Sequence, residues 1–296
     1  MANTKELQKR MKSITDTMKI TSAMYMISSS KLRGAKKRLE DTEPYFYALQ
    51  TTFARFLRHI PEADSIYINE KVKKPEEEKH RGYIVITADK GLAGAYNHNV
   101  IKTAHELFES GVDNRLFVVG EVGRHYFESE GLKVEAQFHY TVQNPTLSRA
   151  RAIAECVVNE YKNGSLDEVH IIYSRMESAF SMDVDVLQLL PLKQTMMGDM
   201  PDGFLYEEFS VQPSVDKILK HMVPNFVTGF VYGALVEAFA CEQTSRMMAM
   251  EAATDSGKEM LETLKIQYNR VRQAAITQEI TEVVSGAKAQ RRKKKR

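Results

Sequence analysis

The residues best suited to chemistry lie in a glycine-containing loop, Asp89–Asn97. The loop follows a strand-like run and opens a helix-like run, where backbone N–H groups can bind a phosphate. Its sequence, DKGLAGAYN, matches neither the GxxxxGK(S/T) nor the GxGxxG phosphate-binding pattern. We therefore favour a tight turn, in which glycine gives the backbone room, over a nucleotide-binding loop.

Other catalytic or metal-binding patterns are missing from the sequence. It contains no HExxH, no GxSxG and no paired Cys/His spacing of the kind that holds zinc. The eight histidines are scattered, and Cys156 and Cys241 form no CxxC pair. Buried reduced thiols of a cytosolic protein are the simplest interpretation of both cysteines. We therefore expect no cofactor and no metal ion, and an enzyme with a Rossmann-like domain stays as a further alternative.

The elements around the loop begin with a long N-terminal helix. Its seam residues alternate spacings of three and four, which is the 3.5-residue period of a coiled coil. The seam residues in the first part of this helix are Leu7, Met11, Ile14, Met18, Thr21, Tyr25, Ser28, Leu32, Ala35 and Leu39. The same phase continues to Ile60, and we expect a kink at Pro44. The small residues Thr21 and Ser28 would let a partner helix approach closely.

A second long helix is predicted from Ser214 to about Gly286, with the same alternation from Met247 to Ala275. Because both helices flank one central segment, they should run antiparallel. If their bases pair near residues 58 and 216, the numbers of paired residues sum to about 275. Beyond about residue 272 the second helix would then be single, and its apolar side chains would need another partner.

Between the two helices, short β-rich runs alternate with helical runs, which is typical of a mainly parallel α/β sheet. Five strands are predicted, at residues 82–87, 116–119, 133–138, 168–173 and 182–190. The predicted fold class is α/β, in which a long antiparallel coiled coil carries a mainly parallel, Rossmann-like domain. The predicted segments are a coiled-coil helix at 1–60, a linker at 61–81, the Rossmann-like domain at 82–212, a second coiled-coil helix at 213–287 and a basic tail at 288–296.

Composition and charge narrow the classes of function. The sequence has no uninterrupted apolar run of about 18 residues, which a membrane-spanning helix would need. The net charge is +2, and the last six residues, Arg291 to Arg296, are all cationic. The rest of the chain is therefore slightly acidic and gives little support to nucleic-acid binding. A coiled-coil nucleic-acid-binding or scaffold protein that uses the basic tail stays as the alternative.

Several stretches resemble the γ subunits of F-type ATP synthases, in the order of that family and over nearly the whole chain. These stretches are Ser13–Met26, Ser29–Arg33, Ile86–Asn97, Ser245–Asp255 and Tyr268–Ile280. The chain departs from the family at Ala93, where Cys or Gly is usual, and at Ala95, where Gly is usual. The chloroplast-type regulatory insert with its cysteine pair is absent.

The resemblance implies a rotor subunit of a bacterial-type complex that performs no chemistry itself. Its two long helices would form a shaft inside a hexamer of alternating α and β subunits. Its α/β domain, together with the ε subunit, would seat on the membrane ring of c subunits. Ion-driven rotation would then cycle the catalytic β sites in ATP synthesis or hydrolysis. The complex would be peripheral, on the cytoplasmic face of the plasma membrane, and would bind no nucleic acid.

The resemblance also implies contact residues. Those implied to contact the β subunit are Arg272, Gln273, Thr277, Glu279, Met24, Lys31 and Arg33. Those implied to contact the c ring are Phe204, Leu205, Tyr206 and Glu207.

The basic tail is not explained by the resemblance. Consecutive cations repel one another, and Gly286 weakens a helix. We therefore expect the helix to end near residue 287 and residues 288–296 to be mobile and largely dispensable. The alternative is that the tail binds acidic groups of the hexamer and acts as a brake on rotation.

Overall fold

The computed structural model describes residues 4–58, 65–68, 74–75, 78–109, 114–136, 138–178, 181–192, 212 and 214–293. The elements in chain order are α1 (Thr4–Arg58), β1 (Arg81–Ile86), α2 (Tyr96–Glu109), β2 (Arg115–Val119), α3 (Glu121–Ser129), α4 (Leu147–Lys162), β3 (Glu168–Met176), β4 (Met182–Leu190) and α5 (Val215–Lys293). The chain divides into a sheet unit, Ser28–Arg246, and a helical-pair unit, Met1–Ile27 with Met247–Arg296. Helices α1 and α5 each contribute residues to both units.

The sheet unit is built on four strands in the order β2-β1-β3-β4. Strand β1 pairs in parallel with both β2 and β3, and β4 runs antiparallel to β3. The mainly parallel sheet that the sequence predicts is therefore confirmed. Strands β1 and β2 are buried on both faces, as expected where helices cover both sides of a sheet, whereas the edge strand β4 also carries Asp183, Asp185 and Gln188.

Each face of the sheet has its own apolar core. Ile84 and Ile86 of β1 face a core shared with α4 and with the parts of α1 and α5 that belong to the sheet unit. Within that core the rings of Phe53 and Phe226 stack with their centroids 4.6 Å apart. The alternate residue Tyr83 faces a second core, which α2 and α3 cover. This alternation follows from the two-residue period of a strand and gives three layers, helix, sheet and helix.

The predicted third strand, at residues 133–138, is wrong. In that region only two isolated bridges form among the described residues, from Leu116 to Val134 and from Val119 to Tyr140. Between them the chain turns, since Phe138 N–H donates to the carbonyl of Glu135 at 3.1 Å. Val134 and Phe138 do pack on the sheet, but Ala136 is exposed and the turn prevents a continuous ladder of hydrogen bonds.

Helix α5 is a core element of the sheet unit. Almost every described side chain from Phe226 to Thr244 is buried or half-buried. The sheet unit thus extends beyond the α/β domain that the sequence places at residues 82–212, because the predicted coiled-coil helices supply part of its core. By length and composition alone α5 holds a window apolar enough to cross a membrane, with mean hydropathy 1.3, but 67% of that window is buried inside the protein.

In the helical-pair unit, α1 and α5 run antiparallel in the predicted register. The hydroxyl oxygens of Thr21 and Thr254 lie 2.7 Å apart. The amide Nε2 of Gln8 donates to the hydroxyl of Tyr268 at 2.8 Å. In both pairs the residue numbers sum to 275 or 276, so the register derived from the seam is confirmed. At Gly257 an added Cβ would lie 2.7 Å from Cγ of Met18, so a small residue is required at that crossing.

The predicted end of the C-terminal helix, near residue 287, is wrong, because α5 continues to Lys293. The residues that follow Gly286 are alanine, lysine, glutamine and arginine, all good helix formers. Cations are also favoured near a helix C-terminus, where the carbonyl groups point outwards. A single glycine costs about 1 kcal/mol in a helix, which these preferences offset.

The register can be tested by disulfide formation. We expect Tyr25→Cys with Met250→Cys, whose numbers also sum to 275, to crosslink readily under mild oxidation when Cys156 and Cys241 are changed to alanine. The matched control pairs Tyr25→Cys with Met260→Cys, about 15 Å further along the helix. Gel mobility under non-reducing conditions reports the yield. Faster crosslinking of the control pair would contradict the register.

Candidate partner interface

The loop between β1 and α2 forms a tight turn, as the sequence analysis favours. Leu92 and Gly94 have positive φ angles of 61° and 54°. The side-chain carbonyl of Asn97 accepts from the backbone N–H of Ala88 at 2.8 Å, which closes the turn across its base. The side chain of Leu92 is 65% exposed at the tip.

An arginine of α5 holds this loop from within the sheet unit. The guanidinium Nη2 of Arg246 donates to the carbonyls of Lys90 and Gly91 at 3.0 and 3.1 Å. Its Nη1 donates to Oε1 of Glu242 at 2.6 Å, one helical turn away. A phosphate-binding loop directs N–H groups at its ligand, whereas here two loop carbonyls accept from a cation. The loop therefore serves as an attachment of the sheet to α5.

The electrostatics of this attachment are those of a buried site. Burial raises the pKa of Glu242, Arg246 acts against that shift, and the charge of Asp89 adds to it. Burial also raises the pKa of Tyr96 well above its usual range, and the nearby Glu242 raises it further. The sequence analysis missed this cluster. Its only local signal was the four-residue spacing of Glu242 and Arg246, which allows an ion pair on one helix face.

A second surface lies near the C-terminal end of α5. Every side chain described from Arg272 to Lys288 is exposed. Four of these are large and apolar: Ile276 at 47%, Ile280 at 59%, Val283 at 71% and Val284 at 47% exposure. We call these four residues the apolar stripe. Their spacing places them on one side of the helix.

The apolar stripe lies on a different face from the seam with α1. The seam positions that follow Val271 are Ala275, Gln278 and Glu282, and the last two hydrogen-bond to each other at 3.0 Å. The seam therefore becomes polar close to where its partner α1 begins, at Thr4. The stripe that starts at Ile276 is offset from it around the helix, so its geometry suits a partner other than α1.

The residues that the resemblance assigns to β-subunit contact border this stripe. By helical period, Arg272 and Glu279 lie along one edge, and Gln273 and Thr277 along the other. Thr277 donates its hydroxyl to the backbone carbonyl of Gln273 at 2.9 Å, which leaves the hydroxyl oxygen able to accept. The structure thus brings these four side chains together as the polar margins of one apolar surface.

Comparison with known proteins identifies the family. The family model described as ATP synthase matches residues 3–290. The ATP synthase gamma chain of Ruminiclostridium cellulolyticum is 41% identical over 97% of this chain and 98% of its own length. The chain belongs to the ATP synthase γ chain family. The sodium-ion-specific γ chain of Acetobacterium woodii is 35% identical over 97% of this chain and 98% of its own.

Solved structures agree with this family. A chain from the central stalk and c-ring structure of Tetrahymena thermophila mitochondrial ATP synthase is 27% identical, with a TM-score of 0.60 over 79% of this chain and 99% of its own. A chain of Euglena gracilis mitochondrial ATP synthase, 17% identical with a TM-score of 0.59 over 93% of this chain and 97% of its own, shares the fold. The γ chain is a non-catalytic subunit of the central stalk. The alternative of a nucleic-acid-binding scaffold protein finds no support in these relatives.

The remaining assigned residues of the γ chain lie on α1 or outside the described residues. Met24 is half-buried on α1 in the helical-pair unit. Lys31 and Arg33 are exposed on α1 in the sheet unit, where Lys31 Nζ donates to Oε1 of Gln143 at 3.1 Å. The residues assigned to the c ring, Phe204, Leu205, Tyr206 and Glu207, lie outside the described residues.

The attachment of loop to helix gives a stability prediction. Arg246→Met should destabilise the sheet unit by about 3–5 kcal/mol, because Glu242 would stay buried without its cation. Adding Glu242→Gln should recover at least about half of this loss by removing the buried charge. Urea unfolding monitored by circular dichroism measures both changes in the free energy of unfolding. The surface pair of Arg175 and Asp185 supplies the control, since Arg175→Met should cost less than about 1 kcal/mol.

The loss in Arg246→Met should also depend on pH. A buried carboxyl whose pKa is raised binds its proton more tightly in the folded state than in the unfolded state. Its ionisation therefore lowers the free energy of unfolding as pH rises from the unfolded pKa, about 4.3, through the folded value. We expect Arg246→Met to lower the free energy of unfolding more at pH 8 than at pH 5. An equal or smaller loss at pH 8 would contradict the role of Glu242.

The loop geometry predicts that the isolated chain binds no ATP. The carbonyls of Lys90 and Gly91 already accept from Arg246, and the loop has no phosphate-binding pattern. Calorimetric titration with Mg-ATP should show no heat of binding at micromolar concentrations. A micromolar site that is lost on substitution in residues 89–97 would overturn this interpretation.

Proposed function

We propose that the exposed end of α5 is the part of this γ chain that bears on a surrounding hexamer of α and β subunits. The apolar stripe is the observation that carries the proposal. Large apolar side chains on a single exposed helix are unfavourable in water unless a partner covers them. The polar residues along its margins supply hydrogen bonds that a purely apolar contact would lack.

Rotation of such a shaft acts on the hexamer through contact. The helical pair is asymmetric, because α5 extends past the start of α1 and carries its apolar stripe on one side. Each angular position of the shaft would therefore present a different surface to each β subunit. A surface that contacts one β conformation better than another shifts the population towards it. The γ chain would couple ion-driven rotation to ATP synthesis or hydrolysis in this way, with the chemistry on the β subunits.

A second contact with the β subunit is proposed on α1. Lys31 and Arg33 are exposed cations, and an acidic β-subunit loop would complement their charge. Met24 is adaptable in shape and suits a contact whose partner changes during rotation. Both α1 cations lie in the sheet unit, so this contact is separate in the chain from the stripe on α5.

The membrane side of the complex is proposed to be contacted by Phe204–Glu207, which would bear on the c ring beside the ε subunit. The γ chain would then belong to a peripheral complex on the cytoplasmic face of the plasma membrane. The aromatic residues Phe204 and Tyr206 would supply apolar area, and Glu207 a charge, to that contact.

The stripe margin provides the test of the hexamer contact. Arg272→Ala with Gln273→Ala should leave the isolated fold within about 0.5 kcal/mol, because both side chains are exposed. Hydrogen bonds to charged groups contribute about 1.5–3 kcal/mol each, so complex assembly or the coupling of hydrolysis to rotation should weaken at least tenfold. Complex yield after purification and ATP hydrolysis by the assembled complex are the measurements.

Glu262→Ala with Thr263→Ala is the matched control. It changes two neighbouring exposed residues of the same helix that lie before the stripe. We expect this control to assemble and hydrolyse ATP like the unaltered chain. If the two double variants assemble and hydrolyse ATP equally well, the assignment of Arg272 and Gln273 to the hexamer contact is wrong.

A further inference from the structure

Helix α5 is bound at the end of the sheet where an open α/β fold ordinarily holds a ligand. The chain leaves β1 for β2 on one side, and β3 pairs with β1 on the other, so the carboxyl ends of β1 and β3 form a topological switch point. Here Arg246 donates to the carbonyls of Lys90 and Gly91, just after β1. Oε1 of Glu237 accepts from the backbone N–H of Met176, the last residue of β3, at 3.2 Å. Helix α5 therefore lies against this end of the sheet.

Three side-chain oxygens at this end of the sheet are buried and have no hydrogen-bond partner among the described residues. They are the hydroxyl of Tyr96, Oδ1 of Asp89 and Oε2 of Glu242. Tyr96 is only 4% exposed and Glu242 is fully buried. The second oxygens of the two carboxylates do have partners, Thr141 for Asp89 and Arg246 for Glu242. Because buried polar groups are nearly always hydrogen-bonded, three unpaired oxygens in one region indicate a bound polar molecule.

The three oxygens belong to one local cluster. Tyr96 packs in a small apolar group with Ala88 and Cys241, which directly precede Asp89 and Glu242 in the chain. The arginine that bonds Glu242 also bonds the residue after Asp89. Burial is the main cause that raises the pKa of Tyr96 and of Glu242; the charges of Glu242 and Asp89 raise that of Tyr96 further, and Asp89 raises that of Glu242. Each of the three groups therefore lies within Coulombic range of the other two.

The hydrogen-bonding capacity of the three oxygens selects the bound molecule. An ionised carboxylate only accepts, whereas the phenol of Tyr96 can donate. A water molecule can donate one hydrogen to Asp89 and one to Glu242 while it accepts from Tyr96. Buried waters typically make about three such bonds to groups that lack another partner. A cation such as Ca²⁺ takes about six to eight oxygen ligands, more than this cluster offers, and would leave the hydroxyl proton of Tyr96 without an acceptor.

We propose that Tyr96, Asp89 and Glu242 together bind one ordered water molecule, which joins the loop after β1 and the first residue of α2 to helix α5. Arg246 attaches this loop to α5 through two of its carbonyls, and the water attaches it through the carboxylate of Asp89. The water site lies wholly within the sheet unit. Its test therefore uses the isolated full chain and does not depend on any contact with a hexamer.

The hydroxyl of Tyr96 provides the test, because Tyr96→Phe removes the hydroxyl and keeps the ring. If the hydroxyl donates to a bound water, its loss destabilises the fold, whereas loss of a buried hydroxyl without a partner stabilises it. We expect the urea midpoint of unfolding, monitored by circular dichroism, to fall in Tyr96→Phe. A midpoint that is unchanged or higher would overturn the water site.

Tyr161→Phe is the matched control. It removes another buried tyrosine hydroxyl of the sheet unit, which donates directly to the backbone carbonyl of Ile66 at 2.6 Å. Its urea midpoint gives the shift that follows when one buried tyrosine hydrogen bond is lost. We expect the shift in Tyr96→Phe to have the same sign and a comparable size.

A high-resolution experimental structure of the full chain distinguishes a bound water from a direct contact. We expect one density peak about 2.5–3.0 Å from each of the three oxygens, as in O–H···O hydrogen bonds. A hydroxyl of Tyr96 that instead donates directly to Glu242 or Asp89, with no peak between them, would overturn the proposal.

The choice of salt distinguishes water from an alkali cation. The urea midpoint of the unaltered chain is compared in sodium, potassium and choline chloride at equal ionic strength. A cation that binds only the folded state raises the midpoint by mass action, whereas a bound water does not respond to the cation present. We expect equal midpoints in the three salts. A higher midpoint in one alkali salt that disappears in Tyr96→Phe would assign the site to that cation and overturn the water.

Discussion

The structure depends on one helix that passes through successive environments. Helix α5 is buried on nearly all sides from Phe226 to Thr244, pairs with α1 along one face from Met250 to Tyr268, and is exposed from Arg272 to Lys288. No core of this size could cover a helix of 79 residues along its whole length. The residue types change along the helix accordingly. They are apolar on all sides in the sheet unit and along one seam in the helical pair. Beyond Arg272 they are apolar along a stripe on another face, and the last residues of the chain are cationic.

The change of residue types along α5 explains why the helical pair could be predicted from sequence. A 3.5-residue period fixes which face of each helix is buried, and a shared sheet unit fixes the antiparallel direction. The only remaining variable was the register, which the hydrogen bonds of Thr21 with Thr254 and of Gln8 with Tyr268 confirm. Small residues such as Gly257 mark the positions of closest approach. Helix and strand bounds in the sheet unit also followed local patterns to within a few residues, apart from residues 133–138.

Other features could not be derived from local pattern. Residues 133–138 alternate apolar and polar side chains as a strand does, and the turn at Phe138 depends on contacts with distant β2. The hydrogen bonds of Arg246 to Lys90 and Gly91 join positions more than 150 residues apart, so nothing near either position indicates them. The continuation of α5 past Gly286 depends on small effects of opposite sign. Gly286 and charge repulsion disfavour the helix, whereas the residues that follow are good helix formers and cations are favoured near a helix C-terminus. The unfavourable effects alone predict an end that is too early.

The arrangement of polar and apolar groups near the end of α5 suits the rotating contact that we propose for it. Apolar attraction is nearly independent of direction, so a purely apolar stripe would hold a shaft in place without favouring any angle. Hydrogen bonds and charge-assisted contacts weaken steeply when misaligned, so they distinguish one angle from another. The stripe with Arg272 and Glu279 on one edge and Gln273 and Thr277 on the other combines both. In the proposed contact with the hexamer, adhesion would come from the centre of this surface and angular preference from its margins, so that torque could change the partner without releasing the shaft.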